Sequence, residues 1–288
     1  MFLGTLQQEN RIEVIKRNAE IIRSSNLLND TFVSIALEDA EACQYVLRII
    51  LGTNDLNVVT VKGQYRLLNL TAKDSILDVF AQDSRGRLMN LEIQRRDTVD
   101  HPRRTRFYSS MMDKSILDKG MNYNELPDVY VIYISETDLW HAGKAIYKVE
   151  KTLGAGKTAI PYDDGSNIIY VNAEVDDGSA IAQMMKYFKS ADPDDMSHGD
   201  LSKRVRYLKR EKGGYERMSA EAEELYNLGV EDGIEKGIAQ SEKNQAKEKE
   251  ATVIRMLKDK MPVEKIAIYQ NMPVEEIHKI EERVIINE

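Results

Sequence analysis

The chain has 288 residues, 42% of them hydrophobic and 31% charged, with a net charge of −8; that length supports a sizeable core and a small accessory unit. The central apolar run at 129–134 is far too short to span a bilayer, and the first residues lack the basic and long apolar regions of a secretory signal. The single cysteine, Cys43, excludes an internal disulfide or a zinc cluster and reads as core packing, so a cytoplasmic protein without a membrane partner is expected.

Residues 30–51 read as a helix. Asn29 or Asp30 caps it, Val33, Leu37, Ala40, Val46, Leu47 and Ile50 recur at helical spacing, and Gly52 stops it. Short strands follow at 57–61 and 67–70. Residues 75–83 and 87–94 then form a hairpin, with Ser84-Arg85-Gly86 as a three-residue loop and glycine in the left-handed position. If Asp83 pairs with Arg87, Asp78 lies directly opposite Glu92. Opposed side chains sit roughly 4.5–5.5 Å apart at Cβ, and like charges there are destabilising. A divalent cation between them removes that penalty, because hard cations take carboxylate oxygens; the alternative is a pair of exposed strand residues facing water.

Strand alternation puts Asn90, Glu92, Gln94 and Arg96 on the face shared with Asp78, and Arg95 on the opposite, exposed one. Within 85–106, seven arginines stand against Glu92, Asp97 and Asp100, a local +4, whereas 216–250 carries ten acids and five bases. The acidity therefore lies largely away from the carboxylate pair, and charge distribution matters more than its sum for nucleic-acid binding.

Residues 103–118 return to helical period, with Phe107, Met111 and Leu117 inward, arginines toward one end and Gly120 after it. His101, beside Pro102, reads as an exposed loop residue. A buried strand at 129–134, strands at 146–149 and 168–171, and a helix at 180–189 complete an α/β sandwich around a mixed sheet. Pro193 marks a loop. The segment 203–212, with six bases against Glu211, reads as a solvated helix face. From 219 to 260 there is no proline and a long helix is favoured, but Gly229, Gly233 and Gly237 each cost about 1 kcal/mol relative to alanine, which suggests a linker that orders when paired. Met261-Pro-Val-Glu-Lys-Ile266 recurs as Met272-Pro-Val-Glu-Glu-Ile277. With 253–257 before them, these segments predict three short amphipathic helices, a helix-turn-helix-like unit.

Asp78, then Glu92-x-Gln94 on a neighbouring strand, then an arginine-bearing helix, resembles the PD-(D/E)XK nuclease superfamily. More closely, Leu77-Asp78-Val-Phe-Ala-Gln-Asp-Ser-Arg-Gly, Asn90-Leu-Glu92-Ile-Gln94-Arg-Arg, Arg103-Arg-Thr-Arg-Phe-Tyr108-Ser and the strand from Val129 resemble its transposase-like, recombination-promoting nucleases, over roughly residues 30–200. The resemblance implies a restriction-endonuclease-like mixed sheet flanked by helices, with a helical C-terminal extension. The corresponding division is a nuclease-like domain at 1–200, a basic segment and long charged helix or linker at 201–250, and a helical tail at 251–288.

It further implies that Asp78, Glu92 and the backbone carbonyl of Ile93 hold one or two Mg²⁺ ions, with Mn²⁺ as a substitute, which bind the scissile phosphate of DNA and activate water at neutral pH. Gln94 stands where many superfamily members carry lysine. It can orient water but brings no positive charge to the transition state, and Arg96 is the same-face residue able to supply one. Arg103, Arg104 and Arg106 join Arg96 as candidate phosphate contacts. Tyr108 and, from the first helix, Glu41 are auxiliary candidates. The function implied is a Mg²⁺-dependent DNA endonuclease of recombination or mobile elements, with the C-terminal helices as a candidate homodimer contact. The rival reading, drawn from Gln94, is a catalytically inactive relative that binds DNA or protein.

Overall fold

In the computed structural model, which describes residues 2–67, 75–95, 99–117 and 120–286, the Ser84-Arg85-Gly86 loop turns one strand into the next as its residues dictate. Asp83 N donates to Arg87 O at 3.1 Å and Gly86 N to Asp83 O at 3.0 Å, with Gly86 at φ 81°, where a Cβ would be strained. The buried Asp83 carboxylate braces the turn, accepting from the N–H groups of Arg85 and Arg87 and from the Arg87 guanidinium. The flanking strands, β2 (Ser75–Asp83) and β3 (Leu88–Gln94), pair in the register the turn imposes, Gln82 with Leu88 through Val79 with Leu91.

The hairpin belongs to a six-stranded mixed sheet. Its other strands are β1 (Val58–Leu67), β4 (Val129–Ser135), β5 (Ile146–Lys148) and β8 (Ser166–Asn172), and the order is β1-β2-β3-β4-β8-β5. A separate ribbon joins β6 (Thr152–Leu153) to β7 (Ile160–Pro161). Strands β3, β4 and β8 run parallel, while β1–β2, β2–β3 and β5–β8 are antiparallel. Pairing with β2 carries β1 straight through polar Lys62-Gly-Gln, so the two pieces expected at 57–61 and from Leu67 are one strand; 68–70 lie outside the described residues. The parallel β3–β4 step is bridged by α4 (His101–Ile116), which lies over the sheet with Tyr108, Met111 and Met112 against Leu88, Val129 and Val131. Residues of the opposite parity, Val79, Ala81, Met89 and Leu91, are also fully buried, so the centre of the sheet is covered on both faces.

The helix expected over 30–51 is two helices, α2 (Asp30–Leu37) and α3 (Ala40–Leu51), preceded by α1 (Phe2–Ser24). Asn29 caps α2 by accepting from Phe32 N. Asp39 is extended (ψ 119°) and caps α3 by accepting from Ala42 N, and that second cap breaks the run. The expected inward face of the arginine-bearing helix is also corrected. Met111 is buried as expected, but α4 also buries His101, Thr105, Tyr108 and Met112, while Phe107 points outward. The rotation is set by the sheet's tyrosines, described below. Helix α5 (Ala180–Ser190) buries Met184, Met185, Tyr187 and Phe188.

The basic stretch at 203–212 lies mostly on α6 (Gly199–Arg210), and several of its bases turn back onto the protein instead of forming a free solvated face. Arg204 donates to Ile35 O at 3.0 Å, Lys209 lies 5.1 Å from the Phe32 ring centroid, and Arg210 pairs with Asp194 at 2.6 Å. Helix α7 (Lys212–Lys258) runs unbroken through Gly229, Gly233 and Gly237, since their cost is spread over 47 residues of otherwise good helix formers.

Two compact units divide the chain, Met1–Ala222 and Glu223–Glu288. The second unit holds the end of α7 with α8 (Val263–Gln270) and α9 (Val274–Ile286). Ile266 and Ile277, equivalent positions of the internal repeat, are both fully buried there beside Val253 and Ile280. The repeat prolines stand one residue before their helices, where their carbonyls accept the first helical N–H groups. Among the described residues no helix is long and apolar enough to cross a membrane.

Candidate metal and active site

The β2–β3 ladder has hydrogen-bonded pairs at alternate positions, starting from Asp83 and Arg87. Asp78 and Glu92 come one step beyond the last ladder pair, Val79 with Leu91, and their side chains take over there. The Asp78 carboxylate Oδ2 accepts from Ile93 N at 2.8 Å, and the Asp78 N–H donates to the Glu92 carboxylate. Glu92 also accepts from Asn90 Nδ2 at 2.9 Å and from the Tyr108 hydroxyl. Three donors therefore converge on one buried carboxylate.

Electrostatics at the pair follow from this placement. Glu92 is 5% exposed, and burial first, then the charge of Asp78, pushes its carboxyl up to about 8 despite the three donors. Burial also raises Asp78, to about 6; the Ile93 N–H and Arg104 hold it down while Asp30 pushes it up. Two ionised carboxylates about 5 Å apart repel by about 3 kcal/mol at an effective dielectric of about 20. Either a proton or a cation relieves that repulsion. Burial, and behind it the charge of Glu92, keeps Tyr108 well above the ordinary tyrosine range, so it stays a donor.

Asn90 is fully buried, and its Oδ1 has no hydrogen-bond partner among the described residues. An orphaned buried acceptor costs stability, so asparagine at this strand position is explained by what its amide donates to Glu92. Strand alternation puts Asn90 on this face, and its position two residues before Glu92 is the sequence signal for its role.

Helix α4 brings further groups to the same end of the sheet. His101 is buried, not exposed as expected, with Nδ1 3.5 Å from the Tyr170 hydroxyl and its ring edge-on to Trp140 and Tyr170. Thr105 Oγ1 lies 3.3 Å from the same hydroxyl. These contacts pin the first turn of α4 to β8 and set its rotation, which turns Tyr108 to Glu92 and Arg104 to Gln94. Arg104 Nη1 donates to Gln94 Oε1 at 3.3 Å, and Arg104 also bonds to Tyr108.

The other expected site residues are placed differently. Arg103 and Arg106 are exposed on α4. Arg95 is exposed and pairs with Glu136 at 3.3 Å, as alternation requires. Arg96 lies outside the described residues. Glu41 is not brought to the pair: it is exposed at the start of α3, beside a surface cavity with Tyr45, Arg48 and Asp200. The third acid that Asp78 feels is Asp30, at the start of α2, because the break at Asp39 reorients the two helices.

Among the described residues, no group of three or more His, Cys, Asp or Glu gathers in metal-binding fashion. A cation here would rest on Asp78 and Glu92, with backbone and water completing its shell. The donor set fits a hard divalent ion: two carboxyls with raised proton affinity from shared burial, and a backbone carbonyl, Ile93 O, on the strand edge that already offers its N–H to Asp78.

A family model described as PD-(D/E)XK nuclease family transposase matches residues 52–226. The chain belongs to this family. The match takes in β1 through the start of α7, and the flanked six-stranded mixed sheet agrees with the PD-(D/E)XK fold. Membership points to a nuclease-like or transposase-associated protein acting on nucleic acid, and PD-(D/E)XK nucleases typically use divalent metals. Searches of curated proteins and of solved structures returned no match.

Proposed function

We propose that this PD-(D/E)XK protein is a Mg²⁺-dependent deoxyribonuclease that hydrolyses phosphodiester bonds in DNA, in the setting of recombination or mobile elements. The observation that carries the reading is the buried Asp78–Glu92 pair, fixed by crossed side-chain and backbone hydrogen bonds at the end of the β2–β3 ladder. Two carboxylates held this way need a proton or a cation between them, and at neutral pH a divalent cation meets that need for both.

Asp78, Glu92 and the Ile93 carbonyl would hold the ion, with Mn²⁺ an adequate substitute. When bound, a divalent cation supplies Lewis-acid stabilisation of phosphate charge and makes water acidic enough to ionise near neutral pH. The remaining work belongs to the chain. Asn90 and Tyr108 hold Glu92 in one orientation. Gln94, with its amide oxygen on Arg104, would help orient the attacking water for in-line displacement through its amide N–H groups. Arg103 and Arg106, exposed on α4, contact DNA phosphates and contribute affinity without sequence information. The second unit, with its repeat-built core, serves pairing of two copies or target choice.

Nicking of supercoiled plasmid with Mg²⁺ tests the proposal: the parent cuts, and Asp78→Ala and Glu92→Ala do not. Cleavage that survives both substitutions sinks it. Gln94 in place of lysine favours a second reading, a binding relative without activity. That reading, a binder without metal affinity at Asp78 and Glu92, predicts no rise in melting temperature with Mg²⁺ or Mn²⁺ and no nicking under any metal.

A further inference from the structure

The family position for a lysine is held by Gln94, which has no charge to offer a phosphate in transition, and Arg96 lies outside the described residues. A cation nevertheless reaches Gln94 from another element. Arg104, the fourth residue of α4, donates from Nη1 to Gln94 Oε1 at 3.3 Å. A guanidinium only donates, so the amide oxygen must be the atom facing it, and the orientation of Gln94 follows from its partner.

We infer that Arg104 supplies the positive charge that lysine brings elsewhere in the superfamily, with Gln94 as the residue that positions it against the scissile phosphate; the inference rests on the hydrolytic reading above.

Four observations support this assignment. Arg104 also bonds to Tyr108, the hydroxyl donor to Glu92, so one guanidinium spans the groups around the carboxylate pair. Its charge is felt by Asp78, which places it within electrostatic reach of the ion's ligands. Its ion pair is with Asp100, an exposed residue at 3.7 Å; such pairs are worth about 0–1 kcal/mol and yield readily to a phosphate. Finally, the anchoring of His101 and Thr105 on Tyr170 fixes the turn that carries Arg104, so the side chain is preorganised. A guanidinium has five donors in a planar fork. With one on Gln94 and one on Tyr108, the fork retains donors that match two phosphate oxygens.

The test is single-turnover nicking of supercoiled plasmid with Mg²⁺, alongside the metal-dependent rise in melting temperature. Arg104→Gln should slow nicking by about 100-fold or more, the loss typical of removing one preorganised transition-state donor, while keeping the parent's metal-dependent melting shift. Arg85→Gln, which removes a turn-side guanidinium paired with Asp55, should nick at the parent's rate. Adding Gln94→Lys to Arg104→Gln should restore at least about tenfold, since it returns a cation to the family position. A purely structural role for Arg104 would give no such rescue. The inference is overturned if Arg104→Gln nicks within about threefold of the parent, if Gln94→Lys fails to rescue, or if Arg104→Gln abolishes the metal shift. A parent that does not nick refutes the hydrolytic reading itself. A nicking parent with an unchanged Arg104→Gln variant refutes Arg104 alone.

Discussion

Asp78 and Glu92 are joined through each other's strand: the Asp78 N–H donates to the Glu92 carboxylate, and the Asp78 carboxylate accepts from the N–H of Ile93, next to Glu92. The two acids therefore cannot separate without breaking backbone hydrogen bonds. Their repulsion is contained by the hairpin, and the protein's stability must respond to their ionisation.

Without metal, stability should fall as pH rises from about 4.5 to about 8. In the folded chain both carboxyls sit above their ordinary values, Asp78 at about 6 and Glu92 at about 8. Between those limits the native state binds more protons than the unfolded state, so unfolding free energy decreases with pH. The stabilisation is complete below the unfolded values and lost as pH passes the folded ones. Unfolding free energies from urea titrations at pH 5 and pH 8 in a chelator should differ by on the order of 5 kcal/mol, and Glu92→Gln should flatten the profile. Mg²⁺ should raise the pH 8 midpoint and leave the pH 5 midpoint nearly unchanged. A parent more stable at pH 8 than at pH 5 in chelator contradicts the buried-pair electrostatics.

Tyr108→Phe removes the hydroxyl donor to Glu92 and keeps the ring against Met111 and Met112. Groups that orient metal ligands typically contribute about 10–100-fold to affinity. Calorimetric titration with Mn²⁺ should show a loss in that range, with the metal-free melting temperature little changed. Unaltered affinity would make Tyr108 a packing residue.

His101→Ala should act on both fold and site. It deletes a buried ring packed against Tyr133, Trp140 and Tyr170, a loss expected to cost about 2–4 kcal/mol. Because His101 anchors the turn bearing Arg104, nicking should fall even at temperatures where the variant is fully folded. Denaturant unfolding and nicking at 15 °C measure the two effects separately, and a stable variant with normal activity would refute the anchoring role.

Two glycines should respond very differently to alanine. At Gly86 a Cβ meets nothing within 4 Å, and only the left-handed φ of 81° opposes it, a cost of about 1–2 kcal/mol. At Gly214 a Cβ would collide with the Tyr207 carbonyl oxygen and come within 2.6 Å of Leu208 Cα. Backbone would have to move, so the loss should exceed about 3 kcal/mol. Thermal unfolding of both variants should place Gly214→Ala well below Gly86→Ala; equal losses would mean that the α6–α7 corner relaxes freely.

The hairpin register was readable from the chain because it depends on neighbours. A three-residue loop with Gly86 in the left-handed position admits one pairing, and period-two alternation carries that pairing to Asp78 and Glu92. The internal repeat was legible for the same reason, since Ile266 and Ile277 each follow their own proline at one helical spacing and both reach a core. Other features depended on contacts between segments far apart in sequence. His101 looked like a loop residue until Tyr170, from β8, gave it a partner. Glu41 looked like the auxiliary acid until Asp39 broke the first helix, leaving Asp30 as the acid felt by Asp78. Arg96, the same-face cation that strand alternation offers, lies outside the described residues, whereas the contact of Arg104 with Gln94 depends on the docking of α4 and has no local signal. Local hydrogen-bond periodicity determines which residues share a strand face, so the sequence carries the carboxylate pair. Which charge stands beside that pair is set by how a helix rotates on the sheet, and the tertiary packing of buried aromatic rings decides that.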